Sequence, residues 1–270
     1  MKKQSFWILT LSFVILSFSA ISWISVKEDQ PLAITSKTVV VATPAVNEVS
    51  TVEQQFEQYV NDVYNSAELG KSQLDFQVFK KAFIGYLNMK AGNLISDKQM
   101  LTIVDFNKSS TQKRLWIIDL ANHKLLYNTL VAHGQGSGDD MPNKFSNLPN
   151  SHQSSLGFYV TSEIYRGKHG RSMKLDGMDK GFNSNAKERA VVIHGADYVS
   201  EQFVSKHGRL GRSHGCPALP VELTNQIIDN LYGKTLLFIA GPQKDYTSKY
   251  TDQAIAMSGF AATVAPVSSI

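Results

Sequence analysis

From residue 52 onward, apolar side chains recur at helical spacing. Val52, Phe56, Tyr59, Val60, Val63 and Tyr64 fall on one face and Gly70 ends the run, which predicts an amphipathic helix. A second helix is expected behind Asp75, whose carboxylate can cap it, with Val78, Phe79, Ala82, Phe83, Tyr86 and Leu87 as its buried stripe. From residue 99 the pattern changes to short runs rich in β-branched and aromatic residues. Strands are expected at 100–106, at 115–120 and 124–131 around Ala121-Asn122-His123, and at 157–161, 172–175, 190–194 and 235–239. Helical spacing returns at 220–231, where Val221, Leu223, Ile227, Ile228 and Leu231 are apolar. Many strands with long glycine-rich connections predict a mainly β fold: a sandwich or small barrel with flanking helices and a short N-terminal helical segment. Past Gly241 the chain turns polar, then small and apolar, and residues 243–270 read as a poorly ordered tail.

The start of the chain has a different pattern. Lys2 and Lys3 precede a stretch from Phe6 to Ile24 that carries no charge, and the next charge is Lys27. Roughly 19 apolar residues behind a positive start are expected to direct export, as a signal peptide or a membrane anchor over residues 1–26. Ala20 and Ser22 sit at −3 and −1 of a cleavage point after Ser22, and no cysteine follows that could carry a lipid. Residues 27–50, rich in Val, Thr, Ala, Ser and Pro without a period, read as a linker. This leaves a helical segment at 51–98 and a β-rich domain at 99–242.

Composition narrows the function. With 43% hydrophobic and 19% charged residues among 270, the chain can bury a core. A mean hydropathy of −0.16 excludes a polytopic membrane protein. The net charge of +4 comes with no nucleic-acid motif, so nucleic acid is not an expected partner. One cysteine, Cys216, can form neither an internal disulfide nor a multi-cysteine metal site. In an oxidising compartment a lone thiol is a liability unless it is buried or used.

Two segments can use it. Val191-Val192-Ile193-His194-Gly195 ends an apolar strand on a histidine, and Arg212-Ser213-His214-Gly215-Cys216-Pro217 places the thiol behind a glycine turn. A histidine within reach takes the thiol proton, and backbone N–H groups of a tight turn can hold an oxyanion. This is the chemistry of cysteine-dependent acyl transfer. The spacing does not decide between His194 and His214, and a buried structural cysteine beside unrelated histidines satisfies the same pattern.

His194-Gly195 followed by Ser213-His214-Gly215-Cys216 resembles the signature of the L,D-transpeptidase (YkuD-like) catalytic domain, whose members remodel bacterial peptidoglycan. The murein branch with Pro-Ala after the cysteine is the nearer, as in Pro217-Ala218, and Ala132-His133-Gly134, Phe145-Ser146-Asn147, Ser154-Ser155-Leu156-Gly157-Phe158-Tyr159 and Leu175-Asp176-Gly177 are similar to it as well. The resemblance spans 99–242. It implies that Cys216 attacks the carbonyl of the L-centre of diaminopimelate in a tetrapeptide stem and expels D-Ala. The thioester then passes to an amine of a second stem, giving a 3→3 cross-link, or to water. Peptidoglycan stem peptides are the implied partners, and no cofactor is implied. His194 would be the base and acid, oriented by a backbone carbonyl, with the Gly215 and Cys216 amides as oxyanion donors. Ser213 and His214 would support the turn, and Gly195 and His133 would face the substrate. The family's usual Arg or Asn two residues past the cysteine is Ala218 here, and its Thr-Pro-x-Gly motif is Ser154-Ser155-Leu156-Gly157. Residues 166–214 hold ten Lys/Arg against five Asp/Glu, and of these Arg209 and Arg212 are the expected forks for stem carboxylates.

Two other classes fit part of the pattern. A zinc murein peptidase would ligate metal through His194, His207, His214 or Cys216, but the chain has no His-Glu-x-x-His helix. A non-catalytic wall-binding module would keep the fold and leave Cys216 idle.

Overall fold

The computed structural model describes residues 50–264; the expected export segment and all but the last residue of the expected linker lie outside them. Helix α1 (Val52–Ser66) starts at a capping box, in which the Thr51 hydroxyl accepts from the Gln54 amide and the Gln54 side chain returns the bond. Helix α2 (Phe76–Ala91) is capped by Asp75, which accepts from Gln77 and Val78 N–H. Eight strands follow: β1 (Met100–Asp105), β2 (Leu115–Asp119), β3 (Lys124–Thr129), β4 (Gly157–Gly167), β5 (Gly170–Gly177), β6 (Val192–Gly195), β7 (Ala218–Leu219) and β8 (Leu236–Ala240). Helices α3 (Glu201–His207), α4 (Val221–Leu231) and α5 (Gln253–Val264) complete the described α-helices. Among these residues no helix is long and apolar enough to cross a membrane.

All strands belong to one mixed sheet in the order β3-β2-β1-β8-β4-β5-β6-β7. Only β1 with β8 and β6 with β7 run parallel. Just beyond β3, Ala132 bridges to Ala218 of β7, so the two ends of the strand order meet and the sheet curls on itself. The mainly β architecture is therefore the barrel-like variant, built from one sheet and not from two stacked ones.

The apolar runs lack alternation because the central strands are covered on both faces. Leu101, Ile103, Trp116, Ile118, Phe158, Leu236 and Phe238 pack with Phe56 and Val60 of α1 and Phe79 and Phe83 of α2. Their neighbours Val104, Leu115, Ile117, Tyr159, Leu237 and Ile239 pack on the other side with Ile227, Ile228 and Leu231 of α4. Helix α2 lies so close to the sheet that a Cβ on Gly85 would stand 2.2 Å from two ring carbons of Phe158. Gly85→Ala should gain about 1 kcal/mol of helix propensity but lose more to overpacking, which costs about 1–3 kcal/mol. The expected net result is a thermal midpoint several degrees below wild type; an equal or higher midpoint would show that the Phe158 ring yields freely.

The expectation of a poorly ordered tail does not hold for residues 243–264. Asn88 Nδ2 donates to the carbonyls of Tyr250 and Asp252 at 2.8 Å, and Phe260 of α5 stacks on Tyr59 at 5.2 Å. Buried Asp179 accepts from Phe158 N–H, Tyr246 OH and Ser248 Oγ at 2.6–2.8 Å, tying this segment to β4. Helix α5 escapes a periodicity reading because Ala, Gly and Met occur on all its sides. Helix α3 escapes it too: it has seven residues, none buried, and so no apolar stripe.

Candidate active site

Strand β6 places the histidine. It pairs antiparallel with β5 through Ser172↔His194 and parallel with β7 through His194↔Ala218, which sets His194 beside the residue two past Cys216. The His194 ring is buried, 2% exposed, and its Nδ1–H donates to the Gly195 carbonyl at 2.9 Å. That bond leaves the Nε2 lone pair free. Cys216 Sγ lies against the start of the same strand. It accepts from Val192 N–H at 3.4 Å and donates to the Ala190 carbonyl at 3.6 Å. Val192 and His194 are two apart, so they lie on one face of β6. No Cys216–His194 hydrogen bond forms among the described residues; proton transfer requires the thiol to leave Ala190. Ala190 itself has φ +52°, a left-handed backbone that costs a non-glycine residue about 1–2 kcal/mol and that occurs where a site dictates the chain's path.

The cysteine turn is fixed by two serines. Ser213 Oγ donates to Cys216 O at 2.6 Å and accepts from Gly215 N–H at 3.0 Å. Ser154 Oγ accepts from Gly134 N–H at 3.0 Å and donates to Gly215 O at 3.3 Å. Gly215 has φ +122°, and a Cβ there would stand 2.7 Å from Gln153 O, so only glycine fits. Of the two expected oxyanion donors, the Gly215 amide is already engaged by Ser213 Oγ. The Cys216 amide has no partner among the described residues.

His194 and His214 each take part in a histidine stack. His169, at the tip of the β4–β5 hairpin, stacks on His194 with ring centroids 4.3 Å apart. Exposed His214 stacks on His152 at 4.2 Å, so the two histidines that the sequence left undecided occupy different environments. Burial holds His194 below the usual histidine pKa, with help from His169 and Lys168, against the pull of the Gly195 carbonyl. Burial also pushes the Cys216 thiol up, opposed by Val192 N–H, Arg189 and Lys168. The pair therefore rests as neutral thiol and neutral imidazole.

Arg189 was not among the expected site residues. It donates to the carbonyls of Ser146 and Gln153 at 2.7 and 2.6 Å and to the hydroxyls of Ser155 and Ser151, with no carboxylate partner. Four bonds hold its charge in place beside the cysteine turn. The only hint in the sequence is its position directly before the strand that carries His194. Arg209 and Arg212 instead converge on Asp139: Arg212 Nη1 donates to it at 2.7 Å and Arg209 Nε stands 3.9 Å away. They close the 134–140 loop over the cysteine turn. Gly195 touches α4, where a Cβ would meet Thr224 Oγ1 at 2.6 Å.

His133, expected at the substrate, is fully buried. Arg114 Nη2 donates to its Nδ1 at 2.8 Å, so Nε2–H donates to Gly138 O at 3.3 Å. It supports the site from beneath, and its carbonyl accepts from Ser213 N–H at 2.9 Å. Burial and the Arg114 charge lower its pKa to about 4. The folded state thus keeps this ring neutral where the unfolded chain protonates it. Stability should fall as pH drops from about 6.5 to about 4, by about 3 kcal/mol from this group. Urea unfolding at pH 7 and pH 4.5 should show this loss, and His133→Gln, which can keep both bonds, should lose that part of it. Identical pH dependence in the two proteins would refute the assignment.

Among the described residues, no three His, Cys, Asp or Glu side chains cluster as metal ligands. A sequence profile of the L,D-transpeptidase catalytic domain matches residues 70–240. The chain belongs to the L,D-transpeptidase catalytic domain family. The match begins at 70, so the family domain takes in α2, which carries no motif residue. No curated protein sequence matches the chain. Similar solved structures include an L,D-transpeptidase from Mycobacterium smegmatis, with 11% identity over 53% of this chain and 59% of that one and a TM-score of 0.33. An L,D-transpeptidase from Stackebrandtia nassauensis shows 13% identity over 56% of this chain and 60% of that one, with a TM-score of 0.34. The helical cell shape determining protein Pgp2 from Campylobacter jejuni shows 14% identity over 67% and 64%, with a TM-score of 0.35. The chain thus spans about three fifths of the length of these structures.

Proposed function

We propose that the protein is an exported, cysteine-dependent L,D-transpeptidase of the cell envelope that acts on tetrapeptide stems of peptidoglycan. The observation that carries this reading is the seating of the lone thiol, Cys216, on the strand that holds His194 with its Nε2 lone pair free, in a chain of this family. As Sγ attacks the L-centre carbonyl of diaminopimelate, His194 Nε2 takes the thiol proton. In this scheme proton transfer accompanies the attack. The Cys216 N–H faces the oxyanion, and Arg189 offsets the negative charge in the turn. His194 then protonates the departing D-Ala amine as the C–N bond breaks, leaving a thioester. A second stem's amine attacks the thioester, the C–S bond breaks, and the amine's proton passes through His194 to the released Cys216 sulfur. Water in place of the amine gives a tripeptide.

Ser213 and His214 hold the turn in this scheme. Arg212, whose Nη2 has no partner among the described residues, is the proposed contact for a stem carboxylate, with Arg209 beside it. The apolar segment 6–24 serves export to the periplasm or cell envelope. Incubation of the purified protein with tetrapeptide muropeptides should yield 3→3 dimers or tripeptides by mass spectrometry. Neither product from folded protein at neutral pH would overturn the assignment.

A further inference from the structure

Beside His194 and on the far side of Gly195 lies a cavity of about 240 Å³, lined by Arg166, His169, Gly170 and Arg171 of the β4–β5 hairpin and by Thr224 and Asn225 of α4. Its charge is unbalanced. Arg166 and Arg171 are directly opposed across the two strands, and like charges in that position destabilise a sheet. Arg171 is neutralised by Asp229 and anchored on the Asn225 carbonyl. Arg166 has no hydrogen-bond or ion-pair partner among the described residues. Two arginines thus stand opposed at the cavity wall with one carboxylate, Asp229, paired to Arg171, and the exposed Arg166 is open to an anion entering from solvent. His169 belongs both to this wall and to the stack on His194, which links the cavity to the reacting centre.

The chemistry of the acceptor supplies such an anion. The amine that resolves the thioester sits on the D-centre of diaminopimelate, whose carbon also bears a carboxylate. Whatever places that amine at His194 therefore places a carboxylate a few ångströms further on. We propose that the Arg166–His169–Arg171 cavity binds the D-centre carboxylate of the acceptor stem and so orients its amine toward His194. This rests on the function proposed above. The transfer step is unchanged: the C–N bond forms, the C–S bond breaks, the amine proton passes through His194 to the released Cys216 sulfur, and the carboxylate stays ionised throughout.

The test uses the full chain, a tetrapeptide donor, and a labelled tripeptide acceptor with its D-centre carboxylate either free or amidated. The free-carboxylate acceptor should give about 10-fold more cross-link per tripeptide released than the amidated one, the size expected for one charge-assisted contact. Arg166→Gln should erase this preference. A preference that survives Arg166→Gln, or its absence from the wild type, would overturn the proposal. Calorimetric binding of the two acceptors to wild type and Arg166→Gln reads the same contact without turnover. Arg166-dependent, carboxylate-dependent binding in a protein that forms no product would uphold the cavity and overturn the transpeptidase reading. Binding indifferent to both changes would overturn the cavity alone.

Discussion

Cys216→Ser is expected to remove both 3→3 dimers and tripeptides, with a loss of more than about 10³-fold in rate. A hydroxyl in this setting is a far weaker nucleophile than the thiol it replaces, and the neutral His194 is too weak a base to ionise it. The fold should survive, because serine is nearly isosteric with cysteine and the shorter C–O bond only loosens the contacts to Val192 N–H and Ala190 O that now hold the sulfur. An unchanged thermal midpoint would confirm that chemistry was lost and not structure. The variant also separates the competing readings. A wall-binding module would keep its affinity for sacculi, with Cys216→Ser and wild type alike in every assay. A zinc peptidase would lose activity to chelator, and a serine variant of it could still turn over. Product formation by Cys216→Ser would end the thiol mechanism.

The second large effect concerns the base. His194→Gln should lower the rate by about 10²–10⁴-fold, the usual worth of a positioned general base. His214→Gln should cost about 10-fold or less, because that ring is exposed and stacked on His152. The reverse ranking would move the base role to His214. The pH profile provides an independent check. Since His194 is held below the ordinary histidine pKa by burial, His169 and Lys168, it stays a neutral base to lower pH, and the acid limb of the rate profile should lie below about 6.5. Removing the Lys168 charge in Lys168→Gln should shift that limb upward toward the ordinary value. A shift in the opposite direction would mean that the limb belongs to another group.

Much of this was legible in the residues. The strands of the central sheet are unbroken apolar runs because helices cover both faces, and Asp75 signals its helix by cap chemistry alone. The Ser213-His214-Gly215-Cys216 motif pointed to the turn because each residue there has a local job: the hydroxyl ties the loop and the glycine takes a backbone angle that no side chain permits. What was not legible depends on where the chain returns to itself. The hairpin that lays His169 on His194 is set by the β4–β5 register, and no local pattern encodes that meeting. Arg189 reaches the cysteine turn through loop carbonyls that sequence spacing does not reveal. Arg209 and Arg212 looked free because Asp139, their partner, lies far away in the chain. The same reasoning misplaced His133, whose motif position suggested the substrate while its burial beside Arg114 puts it underneath.

The bridge between Ala132 and Ala218 bears on the order in which the fold is completed. It joins the two ends of the strand order and segments far apart in the chain, and such non-local pairings are slow to form. Cys216 and the loop that holds it lie directly at this seam. Until this seam closes, Cys216 lacks its place on the strand of His194, the serine ties of its turn and the neighbouring Arg189. The surroundings of the thiol are thus a product of the completed fold and of no local segment.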